Sequence, residues 1–168
     1  VVTLVLGGAR SGKSAVAERL AAAGPQPVTY VATVSVGDDA DLAERVARHR
    51  ARRPTGWRTV EPAEWGPGGL PDLVATIPGT VLLDALGPWV ASAPGFAVDA
   101  AGLCRALRSR DGDAVVVSEE VGLGVHPATE AGRRVRDALG ELNQAVAAVA
   151  DRVLLVVAGR TLELGAVG

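Results

Sequence analysis

An α/β fold, with a mostly parallel sheet covered by helices on both faces, is predicted by three features of this sequence. Strand-like segments alternate with helix-spaced ones along the chain, the pattern of β-α-β units. The strands are continuous apolar runs such as Ala114-Val115-Val116-Val117, as expected when both faces are covered. The first run, Val1 to Leu6, leads directly into Gly7-Gly8-Ala9-Arg10-Ser11-Gly12-Lys13-Ser14, a match to G-x-x-x-x-G-K-[ST]. Together these features specify a P-loop NTPase architecture of the RecA-like kind.

The motif has a physical logic. Small residues let successive backbone N–H groups curl around an anion, and a helix starting at Gly12 to Ser14 turns its positive end to the phosphates. Lys13 neutralises the outer phosphates and Ser14 offers a hydroxyl to magnesium. Lys13 is the only lysine in the chain, all other basic side chains apart from histidine being arginine. A Gly-rich turn that binds nothing is the alternative, and the strand before and helix after the motif argue against it.

The 168 residues suit one domain spanning 1–168, long enough to bury a core around a sheet. Hydrophobic content of 48% with 21% charged residues marks a globular chain. A formal net charge of −2 argues against nucleic-acid binding by bulk electrostatics, leaving only local basic clusters, so no nucleic-acid partner is expected. No apolar run approaches membrane-spanning length, so no membrane insertion is expected. A strand at residue 1 running into the loop leaves no room for a leader, and a lone cysteine, Cys104, cannot form an internal disulfide. Both features lead to the expectation of a cytoplasmic protein in which Cys104 is a small buried residue on a helix.

The remaining elements follow in order. A helix is expected from Ser14 to Ala23, stopped by Gly24-Pro25, then a strand from Val28 to Ala32. From Asp39 to Arg53, acidic residues come first and basic ones last, which complements a helix dipole. Arg45, Arg48, His49, Arg52 and Arg53 share one face of that helix. By themselves they read first as a solvated basic strip with an incidental histidine. Trp57 to Glu61 is a short strand, Pro62 to Gly69 a loop, and Leu70 to Ile77 a short helix. Thr80 to Asp84 is a buried strand ending in a carboxylate, the form expected of a magnesium-holding strand beside a phosphate loop. Ala85 to Phe96, with Gly87-Pro88 and Pro94-Gly95, reads as irregular or briefly helical, with Trp89 as core filler. Val98 to Arg110 is helical, and Ala114 to Ser118 is a buried strand running into Glu119-Glu120 and the turn Val121 to Pro127, where His126 reads as an ordinary loop histidine. A long helix from Thr129 to Val149, a strand from Arg152 to Val157 and an edge strand from Thr161 to Leu164 complete the chain. Ligands of such sheets collect beyond the carboxyl ends of the strands, so Lys13, Thr33, Asp84, Glu119 and Glu120 are expected on one rim.

These residues resemble the bifunctional adenosylcobinamide kinase/adenosylcobinamide-phosphate guanylyltransferase family of cobalamin biosynthesis. The likeness runs through Gly7 to Ser14, Tyr30-Val31-Ala32-Thr33, Arg45 through His49 to Arg53-Pro54, Trp57 to Glu61, Val117 to Pro127, and Asn143 to Val157. The resemblance implies phosphorylation of the aminopropanol hydroxyl of adenosylcobinamide by a nucleoside triphosphate, with ATP and GTP as substrates and Mg2+ as cofactor. A histidine then attacks GTP, releases pyrophosphate and passes GMP to the corrinoid phosphate, giving adenosylcobinamide-GDP. His49 falls on that histidine, and with Lys13 makes the expected catalytic pair, which overrides the bland reading of the basic strip. A neutral imidazole is a competent nucleophile towards phosphorus, and flanking arginines disfavour its protonated form while attracting a triphosphate.

By the same resemblance the nucleotide contacts are Gly7, Gly8, Ala9, Arg10, Ser11, Gly12, Lys13, Ser14, Thr33, Val34, Ser35, Arg50, Ala51, Arg52, Arg53, Glu61 and Asp84, with Glu61 facing guanine. The metal partners are Ser14, Asp84 and Glu120. Many members read Ser-Asn-Glu-Val-Gly where this chain has Ser118-Glu119-Glu120-Val121-Gly122, which makes Glu120 the matching carboxylate. The family implies a homotrimer with the corrinoid between subunits, and the helix of His49 is expected to move relative to the loop. A simple P-loop small-metabolite kinase and a nucleotide-dependent binding module are the competing readings.

Overall fold

The computed structural model describes residues 1–34 and 54–165. The expected helix over 39–53 therefore lies outside the described residues, together with His49, Ser35, Arg50, Ala51, Arg52 and Arg53. The described strands form one seven-stranded sheet in the order β3-β2-β4-β5-β1-β6-β7. They are β1 (Val2–Gly7), β2 (Val28–Ala32), β3 (Arg58–Val60), β4 (Thr80–Asp84), β5 (Ala114–Glu119), β6 (Arg152–Val157) and β7 (Arg160–Leu164). All neighbouring pairs are parallel except β6 with β7, which are antiparallel.

The pleat divides the core in two. Leu4, Leu6, Val31, Val81, Leu83, Ala114 and Val116 face one side. There they pack under four helices: α2 (Gly69–Thr76), α3 (Leu86–Ser92), α4 (Ala100–Ser109) and α5 (Glu130–Ala147). Val5, Val28, Tyr30, Leu82, Val115 and Val117 face the other, against Val16, Ala17 and Ala21 of α1 (Lys13–Ala23). Because every central strand is apolar on both faces, each side chain has a partner layer, which explains the continuous runs in the sequence.

The structure adds detail that the residues did not display. The expected Pro62–Gly69 loop contains a 3-10 turn at Pro62–Glu64, with Pro62 inside its first turn. The segment expected to be irregular or briefly helical is briefly helical, holding all of α3 and a second 3-10 turn at Pro94–Phe96. Pro88 is tolerated there because its missing N–H falls in the first helical turn, where no intrahelical partner exists. Trp89 is 9% exposed and belongs to the core, as its packing reading expected. Helix α4 is shorter than the expected 98–110 span, starting after Asp99, whose carboxylate accepts the Gly102 N–H at 2.7 Å. Strand β5 runs one residue further than expected and includes Glu119. Cys104 lies on α4 half-buried rather than buried, and burial raises its thiol pKa above the usual value, with Arg108 opposing.

Candidate functional site

The phosphate loop sits where β1 hands over to α1. Gly7 pairs with Glu119 across β1 and β5 and with Val156 across β1 and β6. A Cβ on Gly7 would lie 2.5 Å from Ser11 Oγ and 2.7 Å from the Val156 carbonyl oxygen, so only glycine fits. The loop closes through Ser11 N–H donating to Gly8 O at 3.3 Å, and Gly159 N–H donating to Ser11 O at 2.8 Å. Gly12, the residue before α1, has φ +93°. No side chain caps α1 and its first turn holds no acidic residue. The Lys13 N–H donates to Ser11 Oγ at 3.3 Å, and the positive dipole end of the helix is arranged for an external anion.

Lys13 Nζ reaches Gly8 O at 3.4 Å and Glu119 Oε1 at 3.7 Å. Glu119 is tied further. Its Oε2 accepts the Gly87 N–H at 3.0 Å, and its carbonyl oxygen accepts from Asn143 Nδ2 at 3.0 Å. The parallel register sets Asp84 opposite Ala32 and Val117, on the same rim. Tyr30 Oη donates to Asp84 Oδ2 at 3.1 Å. Thr33 is 2% exposed, and its hydroxyl exchanges hydrogen bonds with both backbone groups of Ala85. Glu61 follows β3 at that rim, and its N–H donates to Glu64 Oε1 at 2.8 Å. Val34, next after Thr33, is half-buried.

Several expectations are therefore refined. The strand-end carboxylate beside Lys13 belongs to Glu119, whereas Glu120, one of the three metal partners that the resemblance implied with Ser14 and Asp84, turns its Oε1 to the Gly122 N–H at 2.7 Å. The reason is the strand itself: Glu119 is its last paired residue and Glu120 begins the turn. Thr33 uses its hydroxyl on Ala85 rather than on the loop. His126 Nδ1 lies 2.9 Å from Arg136 Nη1, a local contact to α5. The sequence reading missed Gly87 and Asn143. Asn143 carried a signal, since it shares the buried face of α5 with Leu139, Leu142 and Val146. Gly87 carried none, because it acts through its main chain.

A mostly parallel sheet with a glycine loop between an inner strand and a helix defines a P-loop nucleotide-binding protein. The fold alone is shared with the solved prototypical ATPase of a bacterial type III secretion system, at a TM-score of 0.51 and 11% identity. That likeness covers 92% of this chain and 50% of the other. Residues 3–164 match the family described as cobinamide kinase / cobinamide phosphate guanyltransferase, and the chain belongs to it. It is 39% identical to the bifunctional adenosylcobalamin biosynthesis protein CobP of Pseudomonas aeruginosa, over 96% of this chain and 95% of that one. It is also 38% identical to the CobU protein of the same description from Salmonella typhimurium, over 95% of this chain and 97% of that one.

Proposed function

We propose that this chain carries both activities of its family, phosphorylating adenosylcobinamide and then transferring GMP from GTP to the product through a guanylylated histidine, His49. What supports this most is the continuity of the family match from β1 to β7 around an uncapped phosphate loop. In the first step the loop N–H groups and Lys13 hold the triphosphate, with ATP or GTP as donor, and the aminopropanol hydroxyl attacks its terminal phosphorus. In the second, an imidazole nitrogen of His49 bonds to the α-phosphorus of GTP and pyrophosphate leaves with the electron pair. The phosphate oxygen of the corrinoid then displaces the imidazole and takes GMP. Arg50, Arg52 and Arg53 attract the triphosphate, and Glu61 is the reading for guanine.

The donors fit magnesium. Ser14 and Asp84 offer hard oxygens, and magnesium takes one or two protein ligands while keeping waters and phosphate oxygens. Among the described residues no cluster of three or more His, Cys, Asp or Glu exists that would make a dedicated protein cage. Ser14 and Asp84 would hold the ion, which would supply positive charge against the triphosphate. Among the described residues no helix is long and apolar enough to cross a membrane. The reading extends, on resemblance, to a cytoplasmic homotrimer.

Mass spectrometry of the intact protein after exposure to GTP and magnesium tests this. One added GMP is expected, acid-labile and mapping to the peptide that holds His49. The variant His49→Ala is expected to take up none while still phosphorylating cobinamide. A wild-type chain that phosphorylates cobinamide but never gains GMP would leave the simple kinase reading standing instead.

A further inference from the structure

We propose that the groove between α5 and the β6–β7 hairpin seats the corrinoid acceptor, taking the carboxamide-fringed edge of its ring; this rests on the kinase half of the reading above. The cavity is about 900 Å³, the size of a small-molecule site. Leu6, Ala147, Ala148, Val153 and Leu164 give it an apolar lining. Its upper end adjoins the phosphate loop, because Glu120, which lines it, donates its N–H to Gly7 O at 3.2 Å. A molecule lying there has one end at the rim where the terminal phosphate is held.

The lining chooses the occupant. Asn143 lines the groove at 8% exposure and spends its Nδ2 on the Glu119 carbonyl, while its buried Oδ1 has no partner among the described residues. A buried acceptor without a donor is costly, so the ligand should bring an N–H. Arg136 also lines the groove, but Asp137 takes its guanidinium at 2.7 Å, and Glu120, Glu141 and Asp151 leave the walls net negative. That field repels a triphosphate and accepts a neutral or cationic body. Gly140, another lining residue, sits inside α5, where glycine weakens a helix, yet a Cβ there would meet nothing within 4 Å. No neighbour in the fold requires that glycine. What its missing side chain preserves is the width of the groove.

Beyond the groove, the hairpin extends the same apolar surface. The pairing of Val153 with Leu164 and of Leu155 with Leu162 turns these four side chains to the α5 side of the sheet. Leu162 and Leu164 remain 60% and 39% exposed, so a ring too broad for the cavity rests on this shelf. Of the two substrates in the phosphorylation step, only the acceptor has the matching character. It is a broad apolar macrocycle around a metal cation, with neutral carboxamides on its edge, whereas the nucleotide is a polyanion.

The experiment fills the groove by steps with Gly140→Ala and Gly140→Leu, substitutions that also favour the helix. The full chain is assayed for adenosylcobinamide phosphorylation, GMP loading of the protein, Tm and mass in solution. The KM for adenosylcobinamide is expected to rise at least about tenfold in Gly140→Leu and by less in Gly140→Ala, with GMP loading within about twofold of wild type and Tm no lower. Ala148→Phe, on the same wall, is expected to behave as Gly140→Leu does. A wild-type KM in both bulky variants overturns the inference and leaves the kinase reading intact. A wild-type KM with a lower mass in solution overturns it by making the groove a contact between copies of this chain. Equal losses in phosphorylation and GMP loading also overturn it, by giving this wall a structural role only. Wild-type protein that loads GMP yet never phosphorylates adenosylcobinamide overturns the kinase reading itself, and this inference with it.

Discussion

The two ends of the sheet each carry one conspicuous cation, and the two are treated in opposite ways. At the end where the strands begin, Arg110 follows α4 and is 8% exposed. Its guanidinium donates to the carbonyls of Val74, Ile77, Gly79 and Asp113. Burial lowers its pKa from the ordinary arginine value, with Asp113 opposing. At the end where the strands finish, Lys13 has one carbonyl at 3.4 Å and one carboxylate at 3.7 Å. Arg110 is saturated by its own chain and ties α2, α4 and the strand starts together. Among the described residues Lys13 meets only those two loose contacts, which leaves its charge available to a ligand. Saturation of polar groups separates structural charge from functional charge here, even though both side chains are largely buried.

Substitutions at the two ends should therefore fail in different ways. The largest effect on stability is expected from Arg110→Ala, which strands several buried carbonyls at about 1–3 kcal/mol each. A net loss of at least ~3 kcal/mol should appear as a drop in Tm of roughly 10 °C in thermal unfolding. A Tm within about 2 °C of wild type would break the contrast. Lys13→Ala should do the reverse. Loss of one preorganised charge on the phosphates is expected to cost about 10²–10³-fold in phosphorylation kcat, with Tm nearly unchanged, read by steady-state kinetics beside a melting curve. The smallest effect is expected from Gly87→Ala, whose new Cβ would lie 2.2 Å from Glu119 Oε2. The carboxylate must swing aside, so phosphorylation should fall about tenfold while nucleotide affinity measured by titration stays near wild type.

The legibility of the chain followed the same division. Strands β4 and β5 were readable because an apolar run needs only its own residues to announce burial on both faces. The phosphate loop was readable because backbone curvature demands glycine at fixed spacing. Helix α3 was legible only as one of two alternatives, because Gly87-Pro88 reads as a breaker until the proline is known to occupy a first turn. Arg110 carried no signal in the sequence, since the carbonyls it binds come from residues 74–79 as well as from Asp113. The resemblance singled out Glu120 of the pair Glu119-Glu120, whereas which side chain turns to Lys13 depends on where β5 ends, and that side chain is Glu119's.

The order of residues alone settled that this is a parallel α/β protein with a phosphate loop after its first strand. Those properties follow from local composition, backbone sterics and the period of apolar side chains. Which carboxylate meets Lys13, which hydroxyl is spent on Ala85 and which cation is silenced by carbonyls were decided by tertiary structure. Each of those outcomes depends on groups distant in sequence arriving within about 3–4 Å of one another, where hydrogen bonds and charge interactions act.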